Sequence, residues 1–133
     1  MSQSMQKDRQ IITALTPADL QHLQQNARGK IVVIKFGATW CKPCKVIKPT
    51  CDAWITTAPE RIIYADIDID ESIDLYVAFK SKKMVRGVPV ILAFDCSKQR
   101  DHWYIPDDSV EGGDIVSVEK FFKRTFDKNA AKN

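Results

Sequence analysis

The sequence predicts an α/β domain with a central mixed β-sheet flanked by helices. Three observations carry this. Short apolar, β-branched runs ("KIVVIKF", "RIIYADIDID", "VPVILAFD") alternate with segments of helical period. The early runs are separated by helix-length stretches, the pattern of parallel strands joined by crossovers. The last run is followed after a turn by a partner strand and a closing amphipathic segment, which adds an antiparallel hairpin.

In chain order, residues 1–10 are polar and are expected to be flexible. "QIITAL" predicts a short first strand. "TPADLQHLQQNA" predicts a helix with Thr16 as N-cap, Pro17 in the first position and Asp19 in the first turn. "KIVVIKF" reads as a buried strand. A helix is expected from about Cys41 to Ala58, then the strand "RIIYADIDID" and the helix "ESIDLYVAFKSKK". "VPVILAFD" is a strand leading into the turn "CSKQ", and "DIVSVEKFFKRTF" is the final amphipathic helix. The folded domain is expected over 11–126, with 127–133 a flexible tail.

The chain has 133 residues, enough for one domain to bury its own core. Its 44% hydrophobic and 28% charged content is that of an ordinary globular protein. A net charge of +3, with lysines scattered among acids, offers no nucleic-acid face. "KSKK" at Lys80–Lys83 is expected to be a solvated helix end. The opening lacks the apolar core of a secretory signal, and no apolar run approaches the ~20 residues that span a bilayer. A cytoplasmic, monomeric protein without membrane or nucleic-acid partners is therefore expected. In a reducing compartment a C-x-x-C pair is catalytic or metal-binding more often than a structural bridge.

The decisive stretch is "FGATWCKPCK", Phe36–Lys45. With Cys41 opening a helix, the apolar stripe runs Cys44, Ile47, Cys51, Trp54, Ile55, Ala58. Cys44 then faces inward and Cys41 sits in an exposed first turn. Helical i,i+3 side chains have Cβ atoms ~5–6 Å apart, and a disulfide needs about 3.5–4.5 Å, so a small adjustment bonds the two sulfurs reversibly. An unperturbed thiol of pKa ~8.5 is only about 3% ionised at pH 7; a helix N-terminus, with Lys42 and Lys45 nearby, favours the thiolate at Cys41. Pro43 lacks an N–H where none is needed and stiffens the turn. Cys41 is thus the attacking sulfur and Cys44 the resolving one.

These residues resemble the thioredoxin family. "IVVIKFGATWCKPCK" with Pro49 is similar to its strand, W-C-x-P-C motif and proline-kinked helix, "MVRGVPVILAF" to its cis-proline signature, and "SVEGGDIVSVEKFF" to the glycine before its last helix. The likeness spans roughly Ile11–Phe126. It implies the thioredoxin fold, a cis Pro89, and a shallow substrate groove rimmed by Trp40, Lys42, Gly87, Val88, Pro89 and Gly113. It also implies disulfide-containing protein substrates, a thioredoxin-reductase-type electron donor, and no metal or organic cofactor.

The sequence departs from that pattern in three places. Lys35 stands where the family has a buried acid, and Asp66 where many members have a lysine; the two are expected to form a charge-swapped pair, the alternative being a Lys35 that snorkels to solvent. A charged Lys35 beside Cys44 makes the pair more oxidising, whereas a neutral one acts as a base. Gly37 replaces a frequent tryptophan and bares the surface beside the site. The hairpin is lengthened by roughly "RDHWYIPD", whose Trp103, Tyr104 and Ile105 either pack down or form a partner patch, away from the cysteines. Cys51 is expected to be an inert core thiol and Cys96 an exposed one; His22 and His102 receive no role.

The leading reading is a dithiol–disulfide oxidoreductase that reduces protein disulfides. Alternatives are a binding or scaffold subunit using the fold as a platform, and a more oxidising, isomerase-like protein. A zinc site is disfavoured, since one C-x-x-C supplies two of the usual four ligands.

Overall fold

The computed structural model describes residues 9–131. The element order is α1 (Pro17–Asn26), β1 (Ile31–Gly37), α2 (Lys42–Thr56), β2 (Ile62–Asp68), α3 (Asp74–Ser81), β3 (Val90–Asp95), β4 (Asp108–Glu111) and α4 (Ile115–Ala131). The sheet order is β2-β1-β3-β4. β1 pairs parallel with β2, and β3 runs antiparallel to both β1 and β4. This is the mixed sheet that the alternation of runs predicts.

β1 is buried along its whole length because it is central and covered on both faces. Its alternate residues feed two cores. Val32, Ile34 and Phe36 pack with Leu20, Phe79 and Phe94 on one side; Ile31 and Val33 pack with Ile47, Ile55, Phe121 and Phe122 on the other. The period-2 geometry of a strand makes this division automatic. α1 begins as its sequence indicates: Thr16 Oγ1 accepts from the Asp19 N–H at 3.0 Å, and Asp19 Oδ2 accepts from the Thr16 N–H at 3.0 Å.

Three expectations need correction. "QIITAL" forms no strand, only a parallel bridge at Ile12↔Ala65; Ile12 donates to Tyr64 O and accepts from the Asp66 N–H. Ile11 stays 46% exposed, so the flanking residues gain too little burial to extend the ladder. The chain before 11 is not wholly loose: Arg9 donates to the carbonyls of Ile62, Ala58 and Pro59. The expectation for residues 1–8 and 132–133 lies outside the described residues, and α4 continues to Ala131 rather than ending at 126. "KSKK", by contrast, is the expected exposed helix end, with Lys80 in the last turn of α3 and Lys82 as its C-cap; Lys82 Nζ also sits 4.4 Å from the Tyr104 ring centroid, and Lys80 Nζ donates to Arg86 O.

Cys96 is buried, not exposed. Its N–H donates to Lys30 O, so the strand edge continues past Asp95, and the long hairpin folds back over it. Asp107 holds that fold, accepting from the Asp95 N–H at 2.6 Å and from Arg100 Nη2 at 2.5 Å. Trp103 and Tyr104 pack down: Trp103 lies 5.6 Å from the Phe79 ring and 5.7 Å from Tyr104. Ile105 remains exposed.

Candidate active site

The site lies where β1 and β2 end and β3 begins. α2 starts at Lys42, not at Cys41; Cys41 is its N-cap, in an extended conformation, with its Sγ accepting the Cys44 N–H at 3.2 Å. Cys41 and Cys44 are joined by a disulfide, with Cα atoms 5.3 Å apart. The sulfur at position 41 therefore sits over the positive end of the helix, where a thiolate is stabilised. In this bonded state Cys41 is 4% exposed and Cys44 6%. That corrects the expectation of an exposed Cys41: as N-cap it precedes the first turn and joins the core cluster against which Val88 packs.

The turn is clamped from two sides. The Val88–Pro89 peptide is cis, and Pro89 O accepts the Gly112 N–H at 2.9 Å. The adjoining Gly113 lies directly against the active-site turn: a Cβ on it would stand 2.8 Å from Pro43 Cβ and 3.3 Å from Pro43 Cα. Among the described residues, no hydrogen bond uses the Val88 backbone. Gly87 and Val88 are half-buried, and Lys42 and Pro43 are exposed. Trp40 is 65% exposed, yet its Nε1–H donates to Asp70 Oδ2 at 2.8 Å. Asp70 is a residue sequence reasoning missed; the Ile/Asp alternation closing β2 was its signal.

Lys35 and Asp66 are register partners on β1 and β2, with Nζ 3.6 Å from Oδ1. β1 is an interior strand, so Lys35 does not snorkel from a sheet edge; its side chain is 7% exposed, against 36% for Asp66. Behind the pair, Cys51 is fully buried, and burial pushes its thiol up from 9.0 to about 11, which keeps it an inert neutral group. Beside the pair, a cleft of about 440 Å³ reaches Cys44, with Lys35, Gly37 and Asp66 among its walls. A larger cleft of about 590 Å³ lies between α1 and the 96–103 segment and includes neither Cys41 nor Cys44. Among the described residues, no three His, Cys, Asp or Glu side chains are grouped to hold a metal ion, and no helix is long and apolar enough to cross a membrane.

The thioredoxin family model matches residues 12–109. The chain is 34% identical over 91 residues to thioredoxin H4-2 of Oryza sativa subsp. japonica, covering 68% of this chain and 65% of the rice protein. It is 34% identical over 93 residues to mitochondrial thioredoxin of Mus musculus, covering 70% of this chain and 50% of that one. The matches thus span between half and two-thirds of these relatives' lengths. Among solved structures, Fasciola hepatica thioredoxin superposes with a TM-score of 0.65 at 23% identity, covering 86% of this chain and 99% of that one. Reduced Schistosoma mansoni thioredoxin gives 0.63 at 26% identity, covering 87% and 98%.

Proposed function

Since this chain belongs to the thioredoxin family, we propose that it is a protein dithiol–disulfide oxidoreductase working through Cys41 and Cys44. The observation that carries this is the bonded pair at the mouth of α2, with the Cys44 N–H aimed at Cys41 Sγ. In the reduced protein the same N–H and the helix end stabilise a Cys41 thiolate. That thiolate attacks one sulfur of a substrate disulfide, forms a mixed disulfide and expels the other sulfur as a thiolate. Cys44, as thiolate, then attacks Cys41 Sγ, releases the second substrate sulfur and closes the Cys41–Cys44 bond. Two electrons pass to the substrate, and an external reductase of the thioredoxin-reductase type returns them.

Trp40, Gly87, Val88, Pro89 and Gly113 form the substrate rim in this reading. The cis bond turns the Val88 backbone toward an extended substrate segment, and Asp70 fixes the Trp40 ring at the edge. Lys42 adds positive charge, Pro43 stiffens the turn, and Lys35 with Asp66 tunes the Cys44 side. One chain carries every member of the site, which supports action as a monomer. Two free, buried thiols, Cys51 and Cys96, are consistent with a reducing, cytoplasmic setting. Lys35 lining the cleft with Cys44 favours a pair more oxidising than one flanked by an acid.

Insulin disulfide reduction with dithiothreitol tests the assignment. Wild type is expected to accelerate it, Cys41→Ser to abolish the effect, and Cys44→Ser to accumulate reductant-sensitive covalent complexes. Non-covalent partners unchanged by Cys44→Ser, with no insulin reduction by wild type, would establish a docking platform instead.

A further inference from the structure

Beyond the rim, exposed apolar surface continues from Trp40 onto α3. The Trp40 Nε1–H bond to Asp70 holds the ring against the 68–72 turn, which is closed by the N–H groups of Glu71 and Ser72 donating to Asp68 O. Ile73, the N-cap of α3, follows Asp70 by three residues, so their Cα atoms lie within about 11 Å. The Val77 N–H donates to Ile73 O, which sets the two side chains at i,i+4 on one helix face. Both are 51% exposed, while Leu75, Tyr76 and Phe79 take the buried face. Two β-branched residues on an outer face add neither core packing nor helix propensity.

The charges around this face have one sign. Asp70, Glu71 and Asp74 are exposed and enter no ion pair among the described residues. No Lys, Arg or His occurs from 62 to 79. The cations that follow are turned elsewhere: Lys80 Nζ donates to Arg86 O, Lys82 Nζ lies over the Tyr104 ring, Lys83 stands beyond the helix C-cap, and Arg86 pairs with Glu111. Lys45 and Lys48 share the separate cleft with Asp66 and Asp68. The partial positive charge of the helix start, about +0.5, offsets only a fraction of three carboxylates. Since the whole chain carries +3, attraction of cations here is local and runs against the overall charge.

We propose that this face docks protein substrates that carry an apolar, cationic segment beside their disulfide. The inference rests on the oxidoreductase reading and narrows its substrate class. Trp40 joins the two surfaces: it precedes Cys41 at the rim and, through Asp70, abuts the turn that leads into α3. A substrate whose disulfide reaches Cys41 lays its neighbouring segment across Ile73 and Val77, while its lysines or arginines meet Asp70, Glu71 and Asp74. These contacts are remote from the reacting sulfurs and equal in ground and transition state, so they lower KM and leave kcat alone.

The test follows reduction of one cystine peptide by the reduced full chain, the peptide bearing a leucine–lysine arm, a leucine–glutamate arm, a serine–lysine arm or none. The leucine–lysine arm is expected to lower KM several-fold against the other three, with kcat unchanged. Ile73→Ser combined with Val77→Ser is expected to remove that advantage, as is Glu71→Gln combined with Asp74→Asn. Both double variants are expected to keep the wild-type rate on the armless peptide, which shows that they are folded and active. Equal KM for the four peptides, or an advantage that survives both double variants, overturns the proposal while insulin reduction still proceeds. A wild-type dimer that the Ile73→Ser, Val77→Ser chain fails to form would assign the face to a second copy and overturn it as well. Absence of insulin reduction by wild type instead removes the oxidoreductase reading beneath it.

Discussion

Lys35 and Asp66 face each other across adjacent parallel strands, Nζ 3.6 Å from Oδ1, with the lysine sealed in and the aspartate one-third open to solvent. This asymmetry sets what each side contributes. Losing the aspartate strands a buried ammonium, while losing the lysine leaves a carboxylate that water can still reach. Asp66→Asn is therefore expected to destabilise by about 1–3 kcal/mol, and Lys35→Met to change stability by less than about 1 kcal/mol in either direction. Urea unfolding of both single variants and the double variant checks this. Equal losses from the two single variants would show that burial does not divide the pair as described.

The same lysine lines the cleft that reaches Cys44. A cation there favours a thiolate in the neighbouring pair over the neutral disulfide, so it stabilises the reduced form and raises the reduction potential. Lys35→Met is expected to lower the potential by roughly 10–30 mV, where ~30 mV corresponds to about 1.4 kcal/mol for this couple. Equilibration against a glutathione series measures it. A change of no more than a few millivolts removes Lys35 from the redox mechanism.

Gly113 owes its identity to Pro43 rather than to backbone freedom. A methyl group at 113 would overlap Pro43, whereas one at Gly112 would meet open space but a φ of +92°. Gly113→Ala must push the active-site turn away, and overpacking of this kind costs about 1–3 kcal/mol. Gly112→Ala costs about 1 kcal/mol through strain in the left-handed region and leaves the turn in place. Insulin reduction is expected to fall several-fold in kcat/KM for Gly113→Ala and to hold for Gly112→Ala. A fully active Gly113→Ala would show that the turn yields without loss.

What was legible in the sequence followed from local chemistry. The buried strands were readable because each is a continuous apolar run, and α1 because Thr16, Pro17 and Asp19 announce its start. The pairing of Lys35 with Asp66 was legible through the family resemblance, which sets the two at positions where charges of the opposite sign usually stand, and the strand register places them side by side. "QIITAL" misled because its β-branched residues state a propensity, while strand formation needs a partner edge and two-sided cover. Cys96 misled because its burial depends on Arg100 and Asp107 closing a loop several residues later in the chain. The cleft at Cys44 was half visible: a glycine in place of a tryptophan implies missing volume, but not that Lys35, Cys44 and Asp66 wall it together.

Cys51 ties stability to alkaline pH. Burial raises its folded-state value to about 11, from 9.0 for a free thiol; nearby Lys35 opposes the rise without cancelling it. Below pH 9 the folded and unfolded thiols are both protonated, and Cys51 contributes its full stabilisation as a packed neutral group. Between about 9 and 11 the unfolded thiol ionises while the folded one keeps its proton, so the native state binds more protons and stability falls as pH rises. Two pKa steps at 1.36 kcal/mol each cap the loss at about 3 kcal/mol. The stability difference between wild type and Cys51→Ala is expected to be constant from pH 6 to 8 and to shrink through the alkaline window, since alanine has nothing to ionise. Native Cys51 is likewise expected to resist iodoacetamide at pH 8 and to react once urea unfolds the chain. Rapid alkylation of the native protein at that position would mean that the stripe behind the redox pair is open to water, and with it the floor beneath Cys44.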